Sequence, residues 1–155
     1  MAKNLGLVIP SVVALMALST PVFAADLLFD SQKGQLVVTL RDGSKRTFEA
    51  GNNTTNPSAD PNEIGAHGPA PRGKFPVQKP ISEAGSKPYG PFFFPVGAVV
   101  GGKPADVARK RGIGIHGDRN GPSSITLGCI RVSSETDQEL FRIYSTETFM
   151  TIEIR

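Results

Sequence analysis

Gly112-Ile113-Gly114-Ile115-His116-Gly117-Asp118-Arg119-Asn120-Gly121-Pro122-Ser123-Ser124-Ile125-Thr126-Leu127-Gly128-Cys129-Ile130-Arg131 is the stretch on which the reading of this chain turns. It holds the only cysteine thirteen residues after one of the two histidines, among glycines, with an arginine two residues beyond the thiol. A thiol attacks carbonyl carbon as thiolate, so a nucleophilic cysteine needs a base or a positive charge nearby to lower its pKa from about 8.5. His116 supplies that base if its strand lies beside the strand that carries Cys129. The glycines let the backbone turn N–H groups toward a substrate carbonyl, as an oxyanion hole requires. Free cysteine is often just a small buried hydrophobe; the company of His116, Gly128 and Arg131 weighs against that reading here.

Outward from this block the chain reads as short strands and turns. Ile113 to His116 and Cys129 to Val132 are strand segments, the first with glycines that allow close backbone packing. Upstream, Leu27 to Phe29 and Gln35 to Leu40 are apolar, and Asp42-Gly43 sits where a two-residue hairpin turn would return the chain into Arg46 to Ala50. Gly51 to Lys74 is rich in Asn, Thr, Pro, Gly and Ala and reads as a long surface loop. Phe75 to Gln78 is a strand, residues 79 to 91 are loop, and Phe92 to Val100 supplies core strand, with Phe92, Phe93 and Phe94 as packing residues. Pro104 opens one short helical turn over Ala105 to Lys110. Ser134 with Asp137 caps a helix running to about Tyr144, with Leu140, Phe141 and Tyr144 on one face. Phe149, Thr151 and Glu153 alternate with Met150, Ile152 and Ile154 in a closing strand. The sum is one mostly β domain with one real helix.

Composition agrees. Of 155 residues, 17 are Gly and 13 Pro, too many breaks for a helical bundle. One cysteine excludes an intrachain disulfide and any multi-cysteine zinc site, and two histidines leave little for a His-based metal centre, so no metal or organic cofactor is expected. A net charge of +3 from scattered basic residues does not point to nucleic acid. The N-terminus reads as a signal peptide over residues 1–24. Lys3 precedes the apolar run Leu5 to Leu18, and Val22-Phe23-Ala24 places small residues at the −3 and −1 positions of a cleavage site after Ala24. That run is shorter than the roughly 20 apolar residues of a comfortable span, so the exported domain, residues 25–155, is expected to be soluble in the periplasm or cell envelope with no lasting membrane insertion. In that compartment a lone cysteine is buried and inert, paired with another molecule, or kept free for chemistry.

The block at 112–131 resembles the L,D-transpeptidases of the YkuD type, in which an I-H-G segment precedes an S-x-G-C-[IV]-R segment. Here these read Ile115-His116-Gly117 and Thr126-Leu127-Gly128-Cys129-Ile130-Arg131. The Ile-His-Gly-Asp string, the short interval to Gly128-Cys129 and the upstream Gly68-Pro69-Ala70-Pro71-Arg72-Gly73-Lys74-Phe75 resemble a compact branch that includes L,D-transpeptidase-like effectors of type VI secretion; a signal peptide favours service to the cell's own wall instead. The resemblance implies a β-sandwich-like domain with one short helix after the catalytic cysteine. It implies that Cys129 attacks the carbonyl between the third and fourth residues of a peptidoglycan stem peptide. D-alanine then leaves, and an amine acceptor resolves the thioester, or water does so in an L,D-carboxypeptidase. On the same resemblance His116 moves the proton, the Gly117 carbonyl orients the imidazole, and Gly128 and Cys129 offer N–H groups to the oxyanion. Arg131 orients the loop or a substrate carboxylate. The departures are Thr126 at the family's serine position, which keeps the hydroxyl and adds a methyl group, and a shortened loop from Asp118 to Ser124.

The remaining polar residues carry plainer readings. His67 is a non-catalytic loop residue or lines the substrate groove, Asp118 is a turn residue or a partner of His116, and Arg109-Lys110-Arg111 is a solvated turn. Sortases also use His, Cys and Arg, but spread widely along the chain, and papain-like and NlpC/P60 peptidases place Cys before His. A zinc amidase needs more ligands than this chain offers. The alternative of another class is a non-catalytic peptidoglycan-binding module with an idle thiol. The oligomeric state is left open.

Overall fold

The computed structural model describes residues 24–82, 90–97 and 103–155. Apart from Ala24 the expected signal peptide lies outside the described residues, as do residues 83–89 of the second loop and 98–100 of the apolar run. In chain order the elements are β1 (Ala24–Asp30), β2 (Gln35–Thr39), β3 (Lys45–Glu49), β4 (Asn53–Thr54), β5 (Gly73–Pro76), β6 (Ile81–Ser82), β7 (Phe92–Pro95), α1 (Lys103–Lys110), β8 (Gly114–Asp118), a 3-10 turn (Gly121–Ser123), β9 (Ile125–Thr126), β10 (Ile130–Ser133), α2 (Ser134–Thr146) and β11 (Thr148–Ile154).

One sheet runs β3-β2-β1-β11-β5 and a second β10-β8-β7-β6. Their apolar faces meet in a single cluster that includes Leu27, Phe29, Leu36, Phe75, Phe94, Ile115, Val132, Leu140 and Phe149, all buried. In β1 and β2 the cause is period-two alternation: Ala25, Leu27 and Phe29, then Leu36 and Val38, point inward. The outer strand β3 carries exposed Lys45, Arg46 and Glu49, which discourages pairing with another chain along that edge. Buried Phe94 meets Phe149 at 5.6 Å and Tyr144 of α2 edge-on at 6.1 Å, and burying such a ring contributes about 1.5–3 kcal/mol.

Four local expectations are corrected. The hairpin between β2 and β3 uses three residues, not two: Leu40 N–H donates to Ser44 O, Gly43 N–H returns to Leu40 O, and Gly43 closes the loop in the left-handed region at φ +82°. In β11 strict alternation fails at a bulge. Ala25 pairs with Phe149 but Asp26 with Thr151, so Met150 is the extra residue, and Phe149, Ile152 and Ile154 all become buried. Helix α1 has eight residues rather than one turn and ends on Gly112 at φ +65°. Helix α2 is capped by Ser133, one residue earlier than expected, whose hydroxyl accepts the Thr136 N–H at 3.1 Å. Asp137 is thereby released from capping and turns into the core.

The long loop after β3 is not featureless. β4 pairs in parallel with β9, Asn53 beside Ile125 and Thr54 beside Thr126, and Gly51 exchanges two 2.8 Å hydrogen bonds with Arg131. The loop is thus stitched to both sides of Cys129.

Candidate active site

β8 lies between β7 and β10 and runs parallel to β10, with Ile115 opposite Ile130 and His116 opposite Arg131. Laterally paired residues point to one side of a sheet and residues two apart on a strand share it. His116 and Arg131 therefore occupy one face, while Ile115, Ile130 and Val132 fill the core on the other; Cys129 immediately precedes β10, and its thiol takes a hydrogen bond from the Gly114 backbone of β8. The neighbouring strands that the sequence reading required are present. Gly114 must be glycine because a Cβ there would lie 2.3 Å from the Phe93 ring, which stands 6.0 Å from the His116 ring and shelters it.

His116 is 1% exposed, and its Nδ1 lies 3.0 Å from the Gly117 carbonyl oxygen. A carbonyl only accepts, so Nδ1 carries the proton and Nε2 is the basic nitrogen of the neutral ring. Burial, reinforced by the charge of Arg131, pushes the imidazole below its ordinary pKa against the opposing pull of Gly117 and Asp118. Cys129 is half-buried and free. Burial pushes its thiol upward, while the Gly114 N–H, the Thr126 hydroxyl and the charges of Arg131 and Arg111 pull it down; burial wins. Both groups thus favour their neutral forms.

The cradle around the thiol differs from the expectation in one respect. The buried Thr126 hydroxyl accepts the Cys129 N–H at 2.8 Å, so that N–H is already engaged and not presented to an oxyanion. The Gly128 N–H has no partner among the described residues, and Gly128 holds φ +123°. A Cβ at Gly128 would fall 2.4 Å from the Arg111 guanidinium and 2.8 Å from the Ile113 side chain, so a side chain there would be strained by φ and would displace its neighbours.

Arg131 pairs with Asp118 at 2.5 Å, both largely buried. Asp118 also accepts the Asn120 N–H at 2.8 Å and the Ser124 hydroxyl at 2.9 Å. Those bonds and the Arg131 charge outweigh burial and hold its carboxyl below the usual range. Asp118 is the last residue of β8 rather than a turn residue; it holds the turn that follows, and Arg131 braces it there. His67 is exposed, in a left-handed conformation at φ +54°.

Three residues escaped the sequence reading. Asn52 donates its amide to the carbonyls of Gly128 at 2.7 Å and Cys129 at 2.8 Å and accepts the Ala70 N–H at 2.8 Å. Asp137, fully buried, accepts N–H groups from Phe92, at 2.9 Å, and Gly117; burial pushes its carboxyl up to about 7. Arg111 is not a solvated charge: it turns inward and donates to four backbone carbonyls. A cleft of about 760 Å³ beyond Asn52, bordered by Lys33, Glu49, Asn53 and Arg72, contains neither Cys129 nor His116.

Residues 27–153 match the YkuD family, the L,D-transpeptidase catalytic domain. The chain belongs to the YkuD family. No curated protein matches the sequence. Among solved structures with similar folds, Bdellovibrio bacteriovorus Bd1075 is 20% identical with a TM-score of 0.57, covering 88% of this chain and 50% of its own. The helical cell shape determining protein Pgp2 of Campylobacter jejuni is 20% identical with a TM-score of 0.59, covering 84% and 47%. Mycobacterium tuberculosis L,D-transpeptidase 1 is 14% identical with a TM-score of 0.52, covering 85% and 62%. This YkuD chain spans about half the length of the first two. At such identities the likeness establishes the fold, and the mostly β expectation with its helix after Cys129 is met.

Proposed function

We propose that the chain is a peptidoglycan L,D-transpeptidase with Cys129 as nucleophile. The observation that carries this reading is the 3.0 Å contact between His116 Nδ1 and the Gly117 carbonyl, which leaves Nε2 as the base on a strand paired with the one that Cys129 immediately precedes. In the reaction Cys129 Sγ attacks the carbonyl of the third stem residue as its proton passes to His116 Nε2. The tetrahedral oxyanion takes the Gly128 N–H, and collapse expels D-alanine, whose amine receives the proton back from His116. The thioester is then resolved by an amine acceptor, a second stem or a D-amino acid; with water the same enzyme is an L,D-carboxypeptidase. Thr126 and Asn52 hold the Gly128–Cys129 peptide in the attacking geometry, and Arg131 with Asp118 braces the loop beside it. The signal peptide of residues 1–24 would deliver residues 25–155 to the cell envelope, where stem peptides are found.

Incubation of mature protein with tetrapeptide-stem muropeptides, with and without a D-amino acid and beside Cys129→Ala, tests the reading by product mass. Cys129-dependent release of D-alanine is expected, and the products separate exchange or crosslinking from hydrolysis. Retention of muropeptide without D-alanine release would replace the enzyme with a binding module.

A further inference from the structure

The C-terminal end of α1 reaches the nucleophile. The helix closes on Arg111 N–H to Val107 O at 2.9 Å and Gly112 N–H to Arg109 O at 3.0 Å, and the Cys129 thiol sits 3.5 Å from the Gly112 carbonyl oxygen. The Val107, Ala108 and Arg109 carbonyls are taken by the N–H groups of Arg111, Ile113 and Gly112, and the Gly112 carbonyl, just past the helix, accepts from the thiol. Left alone, that carbonyl would hold the sulfur as a neutral thiol and oppose the charge that attack creates on it.

Arg111 stands at the same place. Its guanidinium donates to Pro61 O at 2.6 Å, Pro69 O at 2.8 Å, Gly68 O and Leu127 O at 3.2 Å. It approaches the position of a Gly128 Cβ within 2.4 Å, which places it against the residue preceding Cys129. All four acceptors are backbone carbonyls. No carboxylate pairs with Arg111 among the described residues, whereas Arg131, the other cation near the thiol, is neutralised by Asp118. The charged groups that act on the thiol are Arg131 and Arg111; His116 stands on β8, opposite Arg131, and Asp137 on α2 is held by the Phe92 and Gly117 N–H groups. The ionisable group coupled to Arg111 is Cys129 itself. A partly desolvated cation with no anion of its own is fitted to an anion that forms only in the reaction.

We propose that Arg111 is the positioning residue that stabilises the Cys129 thiolate against the Gly112 carbonyl, and that the same guanidinium fork locks residues 61–69 beside the nucleophile. The thiol proton still goes to His116; the charge left on sulfur faces Arg111. The inference rests on Cys129 being the nucleophile of the proposed reaction but not on the substrate, so its test needs no peptidoglycan.

The test is the pH dependence of Cys129 alkylation by iodoacetamide in the mature chain, read by intact mass, for wild type, Arg111→Gln and Arg111→Lys. Arg111→Gln should raise the midpoint by about one pH unit, slowing alkylation at pH 7 about tenfold while leaving the high-pH rate unchanged. Arg111→Lys, which keeps the charge, should stay close to wild type. A Gln profile superimposed on wild type, or a Lys profile displaced as far as Gln, overturns the proposal, the second outcome assigning Arg111 to packing alone. Should Arg111→Gln not fold, Arg111→citrulline installed by ligation keeps the shape and N–H donors and removes the charge. It must show the same upward shift, and an unshifted midpoint overturns the proposal. Failure to release D-alanine from muropeptides is a separate result and bears on the function rather than on Arg111.

Discussion

Asp137→Asn tests whether the carboxyl behind the His116-Gly117 peptide is held protonated by its surroundings. Asp137 is fully buried, and burial lifts its pKa from 3.8 to about 7. Between those values the native state keeps a proton that the unfolded chain has released, so stability falls as pH rises from about 4 to 7 and stays lower above. At about 1.4 kcal/mol per unit, ionisation costs the native state about 3 kcal/mol more at pH 8 than at pH 5. Asparagine can accept from the Phe92 and Gly117 N–H groups through its carbonyl and never ionises. Its amide would replace Asp137 Oδ1, which has no hydrogen-bond partner, at a cost of about 1–3 kcal/mol that does not vary with pH. The stability of Asp137→Asn relative to wild type should therefore rise by about 3 kcal/mol from pH 5 to pH 8. The chain lacks tryptophan, so urea unfolding is followed by far-ultraviolet circular dichroism. A difference between variant and wild type that stays constant across this range would refute the reasoning.

Thr126→Val strands the Cys129 N–H and should cost about 1–2 kcal/mol in urea unfolding. It should lower kcat/KM without abolishing turnover, whereas Thr126→Ser should preserve both. Gly51→Ala places a Cβ 1.9 Å from the Pro122 carbonyl oxygen and disturbs the double hydrogen bond to Arg131. It should destabilise the domain by about 1–3 kcal/mol and slow Cys129 alkylation, while Gly43→Ala, whose turn is open to solvent, should leave alkylation unchanged. Because burial keeps His116 below its ordinary 6.5, the acid limb of the kcat/KM profile should fall below pH 6.5; a limb above it would contradict the neutral-base geometry.

The legible parts of this chain were those written in short-range pattern. Glycines around an isolated His and Cys marked two short strands, apolar stretches marked β1 and β2, and period-two alternation most of β11. The parts that escaped are set by contacts distant in sequence. Asn52 lies 76 residues before Gly128, and nothing in Gly51-Asn52-Asn53 announces which carbonyls its amide will hold. Arg111 lies in a basic triplet that normally marks a solvated helix end; only the return of residues 61–69 over that end turns one of the three inward. Asp137 stands where a capping acid is expected, and a one-residue shift of the cap to Ser133 sends it to the back of Gly117. The bulge at Met150 defeats a period-two reading for the same reason, because its cause is the partner strand.

The central claim is that Cys129 forms a thioester with a stem peptide after taking base assistance from His116. Intact-mass measurement of mature protein mixed with a tetrapeptide-stem muropeptide, quenched in acid and mapped by digestion, addresses it most directly. The account predicts an adduct equal to the muropeptide less D-alanine on the Cys129 peptide, absent in Cys129→Ala and strongly reduced in His116→Ala. Undiminished D-alanine release by Cys129→Ala, or a full adduct in His116→Ala at the wild-type rate, would contradict it.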